Sequence, residues 1–276
     1  MLTFKLSAQD EASYRQDGFL IVRNCFSDDE IDLLYRLASD ESVVDRSMDF
    51  NDLAGNRTRL TLWFTPGDDS FGLMSRSERM VSAVKTLLGD KGEVCHFHSK
   101  VMQKEPKVGG AWEWHQDYGY WYKNGFLYPE AMISVMVALT EATVDNGCLQ
   151  VLKGSHFMQR FEHGFAGEQQ GADQPFVDAA TAVCELVYVT LKPGDVLFFH
   201  SNLLHRSAAN TSAQSRWSII SAYNLSYNIP FREKNKSCIT PIDVVADTCL
   251  LESGMKKIDG ADFLSKEQEI TLHVKK

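Results

Sequence analysis

Apolar and polar residues follow two different rhythms along this chain. Up to about residue 90 the spacing is mostly helical. Ser7 to Asp17 reads as a short helix, and Gly18-Phe-Leu-Ile-Val22 after it as a strand. Ser27-Asp-Asp-Glu30 is a capping-box pattern, in which a hydroxyl and a carboxylate satisfy free N–H groups at a helix start. It opens the periodic run Ile31–Ala38. Residues 41–72 are polar and irregular, with Gly55, Pro66 and Gly67. Ser77 to Leu88 predicts a second long helix, stopped at Gly89. From about residue 94, short β-rich runs follow one another between turn residues: Val94–Gln103, Met132–Leu139, Cys148–Leu152, Leu186–Leu191, Asp195–Phe199 and Trp217–Tyr223. Helices first and many short strands afterwards predict a mainly β fold, a jelly-roll or cupin-like core with helices packed outside it. Beyond residue 225 no period is clear, and Phe263 to Ile270 reads as a terminal helix or an irregular wrap. No linker divides the chain, so residues 1–276 are expected to form one domain.

Composition narrows the partners. A chain of 276 residues, 44% of them hydrophobic, can bury a sizeable core. The net charge of −9 argues against a nucleic-acid binder, which needs a basic face, although an acidic protein can still hold a local basic pocket. The six cysteines include no C-x-x-C pair, so a structural zinc site is not expected. The N-terminus lacks a basic n-region, and no run approaches 18 uninterrupted apolar residues. These features predict a reduced, cytoplasmic protein that engages a small molecule rather than nucleic acid or membrane.

The chemistry concentrates in Ala111-Trp-Glu-Trp-His-Gln-Asp-Tyr-Gly-Tyr-Trp121, which holds the H-x-D pair His115 and Asp117. On a strand, positions i and i+2 face the same side, so an imidazole nitrogen and a carboxylate oxygen can converge on one metal. A second imidazole completes such a set. His205 is the candidate, and His200, five residues earlier, is its rival. Two histidines and one carboxylate on one face leave the opposite coordination positions open, the arrangement of non-haem Fe(II) oxygenases. Arg216 follows His205 by eleven residues, a spacing that lets the next strand return antiparallel and bring it alongside the metal. An inward arginine in a barrel is costly unless it is paired. A dicarboxylate co-substrate would pair it, because the guanidinium fork matches a carboxylate bidentately. Ser207, two residues beyond His205 on the same face, adds a hydroxyl. His96, His163 and His273 read as structural or solvent-facing, whereas His98 should run through the barrel near the site.

These pieces resemble the phytanoyl-CoA dioxygenase family of Fe(II)/2-oxoglutarate oxygenases. The match is carried by Tyr14-Arg-Gln-Asp-Gly-Phe-Leu-Ile-Val22, His115-Gln-Asp117, Asn146-Gly-Cys-Leu-Gln-Val-Leu-Lys-Gly-Ser-His156, Lys192-Pro-Gly-Asp195, His205 and Arg216. The resemblance implies a double-stranded β-helix, with Fe(II), 2-oxoglutarate and O2 as cofactor and co-substrates. It favours His205 over His200 as third ligand, and it implies Arg216 and Ser207 on the far carboxylate of 2-oxoglutarate. Lys100, which precedes the metal strand, is a further candidate co-substrate contact. Asp117 argues against halogenation, since related halogenases lack that carboxylate. Trp121, six residues after the first metal histidine, resembles the ectoine hydroxylase pattern. The longer run from His98 to Tyr122 resembles bacterial members that hydroxylate 2-aminoethylphosphonate. The expected substrate is therefore a small charged metabolite; the alternatives are an acyl-CoA or another hydrophobic acid, or a non-catalytic family member that binds metal or ligand. For such a metabolite, His98, Lys100, Lys104, Arg57 and Arg59 are candidate anion contacts. Tyr118 and Trp121 are candidate seats for an ammonium group.

Overall fold

The computed structural model describes residues 5–166, 168–231, 239–258 and 262–264. In chain order the strands are β1 (Phe19–Val22), β2 (Met48–Asn51), β3 (Arg57–Trp63), β4 (Val94–Lys104), β5 (Trp112–His115), β6 (Met132–Ala138), β7 (Leu149–Leu152), β8 (His163–Ala166), β9 (Gln169–Ala172), β10 (Leu186–Val189), β11 (Val196–His200), β12 (His205–Ser207), β13 (Arg216–Leu225) and β14 (Thr240–Pro241). The helices are α1 (Ala8–Asp17), α2 (Asp28–Ala38), α3 (Glu41–Val44), α4 (Ser70–Ser75), α5 (Glu78–Leu87), α6 (Asp117–Lys123), α7 (Gln174–Val183) and α8 (Cys249–Glu252). A large sheet runs β1-β11-β6-β13-β4-β3-β2, with β14 beside β4. A smaller sheet runs β10-β7-β12-β5, and β8 and β9 form a separate hairpin. The named strands pair antiparallel, as a jelly roll requires.

The central strands read as nearly continuous apolar runs because both of their faces are covered. On β6, Ile133, Val135 and Val137 face the helices, while Met136 and Ala138 face the smaller sheet. On β11, Val196 and Phe198 go outward, and Leu197 and Phe199 inward. Leu34 and Leu37 of α2, Met74 of α4, and Met80 and Val84 of α5 close the outer face. The expected capping box of Ser27 with Glu30 opens α2, and α1 carries a second one, Ser7 with Asp10, that was not expected.

Residues 41–72, expected to be irregular, contain α3, β2, β3 and α4. The segment looks polar because β2 is the edge strand and β3 its neighbour, and charged residues of both share one partly wet face. Phe50 and Leu60 enter the inter-sheet core, whereas Asp49 on β2 pairs with Arg57 and Arg59 on β3. The element expected at Phe263–Ile270 falls largely outside the described residues. Among the described residues no helix is long and apolar enough to cross a membrane.

Candidate functional site

The inner face of the large sheet carries an ordered array. Strand alternation puts His98, Lys100, Met102 and Lys104 of β4 on that face, in register with Ala222, Ile220, Ser218 and Arg216 of β13. Ser134, Met136 and Ala138 of β6 continue the rows. The smaller sheet faces this array with His115 and His205, which stand directly opposite each other across β5 and β12.

His115, Asp117 and His205 are buried, and each offers a ligand atom within 4.8 Å of the others. Asp117 Oδ1 lies 3.7 Å from His115 Nε2 and 3.9 Å from His205 Nε2. The two Nδ1–H groups donate to backbone carbonyls, His115 to Glu113 at 2.7 Å and His205 to Leu203 at 2.9 Å. That fixes the tautomer and leaves both Nε2 lone pairs for a metal. Burial pushes both imidazoles below their ordinary pKa, towards the neutral form that ligates. The Ser134 hydroxyl donates to Asp117 Oδ2 at 2.5 Å and orients the carboxylate. Two histidines and a carboxylate on one side suit Fe(II).

The local backbone differs from the expected continuous strand. His115 ends β5, Gln116 caps the next element, and Asp117 is the first residue of α6. The ligands converge across a strand-to-helix turn rather than through strand alternation. Trp121, four residues after Asp117, lies on the same face of α6 as that ligand. It is buried with its ring 6.0 Å from His98. Tyr118 is also buried, and its hydroxyl donates to Phe126 O at 3.2 Å.

Arg216 is fully enclosed. One Nη donates to Gly147 O at 3.2 Å, Nε has no partner, and no carboxylate pairs with it among the described residues. Burial lowers its pKa to about 10, with Cys148 opposing the shift. Lys104 lies beside it in register, and its ammonium donates to Ala208 O at 2.6 Å. Burial holds Lys104 well below the usual lysine range, and Arg216 adds to the effect. Two buried cations without an anion make a cradle that a carboxylate would complete. Ser207 stands two residues from His205 on β12, a step of roughly 7 Å along a strand.

Lys100 has no hydrogen bond or ion pair among the described residues, and its charge disfavours protonation of His98, His115 and His205. Arg57 and Arg59 do not join this group. They alternate with the inward Leu60 and Leu62, and Asp49 binds both on the other face. His200 also points away from the triad. It alternates with Phe199, whose ring is 5.0 Å from His205, and its own ring lies 5.3 Å from His156. Ser134 was missed in the sequence, although a lone hydroxyl inside Met132–Ala138 is a signal of an inward polar contact.

The family model described as phytanoyl-CoA dioxygenase matches residues 14–218. An ectoine dioxygenase of Bordetella bronchiseptica is 26% identical over 234 residues, covering 79% of this chain and 75% of the relative. An L-proline trans-4-hydroxylase of Streptomyces griseoviridis is 25% identical, covering 79% and 86%. Among solved structures, EctD from S. alaskensis with 2-oxoglutarate and 5-hydroxyectoine superposes with a TM-score of 0.73 at 23% identity, over 89% of each chain. The epimerase SnoN in complex with Fe3+, alpha ketoglutarate and nogalamycin RO superposes with a TM-score of 0.69 at 20% identity, over 94% of this chain and 96% of that one.

Proposed function

The chain belongs to the phytanoyl-CoA dioxygenase family, and from that premise we propose that it hydroxylates a small charged metabolite, 2-aminoethylphosphonate, at the carbon next to phosphorus. It is an iron(II)- and 2-oxoglutarate-dependent dioxygenase. Bound iron and its co-substrate supply the O2 activation and the oxidising power. The protein's part is to bind, orient and exclude water. His115, Asp117 and His205 hold the metal from one side. Arg216 and Ser207 take the far carboxylate of 2-oxoglutarate, with Lys104 adding positive charge beside them. The enzyme works in the cytoplasm, a setting in keeping with the free state of the described cysteines.

One observation carries the substrate class. The inner face beside the triad presents Lys100 and His98 without hydrogen-bond partners among the described residues, next to the buried ring of Trp121. An anion would satisfy Lys100 and His98, and an ammonium group would lie against Trp121. The named activities of the two relatives, on ectoine and proline, also involve small polar molecules. The test supplies 2-aminoethylphosphonate, ectoine, L-proline and phytanoyl-CoA at equal concentration with Fe(II), 2-oxoglutarate and O2. Mass spectrometry then identifies products that have gained one oxygen atom. Oxygenation of 2-aminoethylphosphonate is expected. Turnover of the acyl thioester alone would overturn the reading.

A further inference from the structure

A third histidine, which the sequence reads as structural or solvent-facing, packs against the turn between His115 and Asp117. His163 opens β8 and is buried. Its Nδ1–H donates to Phe161 O, two residues back, at 2.9 Å. His115 and His205 make the same bond to carbonyls two residues back. In all three the bond leaves Nε2 with a lone pair. Two of these lone pairs face the metal position. The third accepts the backbone N–H of Gln116 at 3.0 Å.

Gln116 is the residue between the two ligands His115 and Asp117, and it is fully buried. Its N–H is one of the groups that a helix start leaves without an intrahelical partner, and α6 has no side-chain cap of its own. The Tyr118 N–H, on the other side of Asp117, donates to Ser201 O at 2.8 Å. His163 and Ser201 therefore pin the amides that flank Asp117. The imidazole itself is held firmly. Its face packs on Gly119, where an added Cβ would come within 2.2–2.4 Å of three ring atoms. Lys123 of α6 donates to the His163 carbonyl at 2.7 Å. The hairpin that carries His163 is clamped to the edge strand β5 by the Gln169 amide, which accepts from Glu113 N at 3.1 Å and donates to Ala111 O at 2.9 Å.

We propose that His163 is a positioning residue for the metal centre: by accepting the Gln116 amide it sets the angle of the strand-to-helix turn and so the convergence of Asp117 on His115 and His205. The proposal rests on the triad being the iron site. It gives the β8–β9 hairpin a role in metal affinity rather than only in covering β5.

A pair of amide substitutions separates positioning from packing. Glutamine places an acceptor near the Nε2 position and can still reach Gln116. Asparagine places its amide near Nδ1, within reach of Phe161 but short of Gln116. Anaerobic Fe(II) titration in the presence of 2-oxoglutarate, followed by visible absorption, measures metal affinity. Circular dichroism of the metal-free proteins measures folding. His163→Asn is expected to weaken Fe(II) binding about tenfold or more, the range for lost outer contacts to metal ligands, and His163→Gln to recover most of that loss at similar metal-free stability. Equal metal affinity of wild type and His163→Asn overturns the proposal, and so does equal impairment of the two variants. If His163→Asn does not fold, Gly119→Ala decides, because its methyl displaces the His163 ring without changing that residue's identity. Unchanged Fe(II) affinity in that variant overturns the proposal. His205→Ala in the same titration reports separately on the triad itself. If it binds Fe(II) as well as wild type, the metal assignment fails first.

Discussion

Arg216 offers the sharpest separation between folding and function. In the free protein it is a buried cation whose guanidinium has one sound hydrogen bond, to Gly147 at 3.2 Å, while its contacts to Met136 Sδ and Ser218 Oγ are 3.6 and 3.5 Å long. A desolvated, poorly partnered charge costs stability, and replacing buried charges with apolar residues of similar volume is often stabilising by about 1–4 kcal/mol. Arg216→Met should therefore leave the ligand-free protein at least as stable, helped by relief of the repulsion that Lys104 feels from Arg216. Co-substrate binding should move the other way. Two charge-assisted bonds to a carboxylate contribute about 1.5–3 kcal/mol each. Offsetting about 1 kcal/mol for the Gly147 bond leaves about 2–5 kcal/mol. At 1.36 kcal/mol per decade, that is a loss of at least roughly 30-fold in 2-oxoglutarate affinity. Anaerobic calorimetry with Fe(II) measures the affinity, and urea denaturation without ligands measures the stability. Arg216→Lys should fall between the two, since it keeps the charge but loses the fork. A change in 2-oxoglutarate affinity below about threefold would refute the reasoning, the threshold being about 0.6 kcal/mol. A marked loss of ligand-free stability would show instead that Arg216 is a structural group.

Alanine at His115, Asp117 or His205 should abolish turnover and weaken iron binding, whereas His200→Ala should leave Fe(II) titrations unchanged; the reverse pattern would move the third ligand to His200. Ser134→Ala removes the bond that orients Asp117, and about a 10–100-fold loss of metal affinity or activity is expected, measured by Fe(II) titration and succinate release. Acid should destabilise the metal-free fold. Burial pushes His96 from 6.5 down to about 4, so between those values the unfolded chain binds the extra proton and stability falls as pH drops. His96 alone contributes about 1.4 kcal/mol per pH unit in that window; urea curves from pH 7 to 4.5 that do not shift would contradict this. Leu37→Ala, at a fully buried position of α2, should cost about 2–5 kcal/mol of stability while leaving 2-oxoglutarate affinity intact.

The parts of this protein that were legible in its sequence are those where local pattern and chemistry agree. Met132–Ala138 and Val196–His200 read as strands because burial on both faces makes them apolar throughout. His205 and Arg216 could be named because few residue types ligate iron or pair a dicarboxylate, but the expected antiparallel return does not occur: β12 and β13 lie in different sheets, joined by residues 208–215, and the two residues sit on the facing inner sides of those sheets. Strands at the margin of the large sheet were harder. In β3, next to the edge strand β2, Arg57 and Arg59 made the segment look polar and irregular, yet Leu60 and Leu62 already carried the inward period of two. Their charge suggested these arginines for an anion, but alternation assigns them to the other face, with Asp49. Lys104 shows the opposite limit. Its inward face follows from its spacing to Lys100, but its pairing with Arg216 depends on the β4–β13 register, which no local pattern specifies. The same holds for the turn between His115 and Asp117. An aromatic-rich stretch with one glycine fits strand or helix. What decides it is contact with distant residues: Ser201 O on Tyr118 N, and His163 on Gln116 N and against Gly119. The candidate metal ligands are thus readable because coordination chemistry restricts them to a few residue types. The groups that aim those ligands are bound by no such restriction, since any acceptor brought close by the fold could serve. They became visible only once the β8–β9 hairpin had been placed against β5.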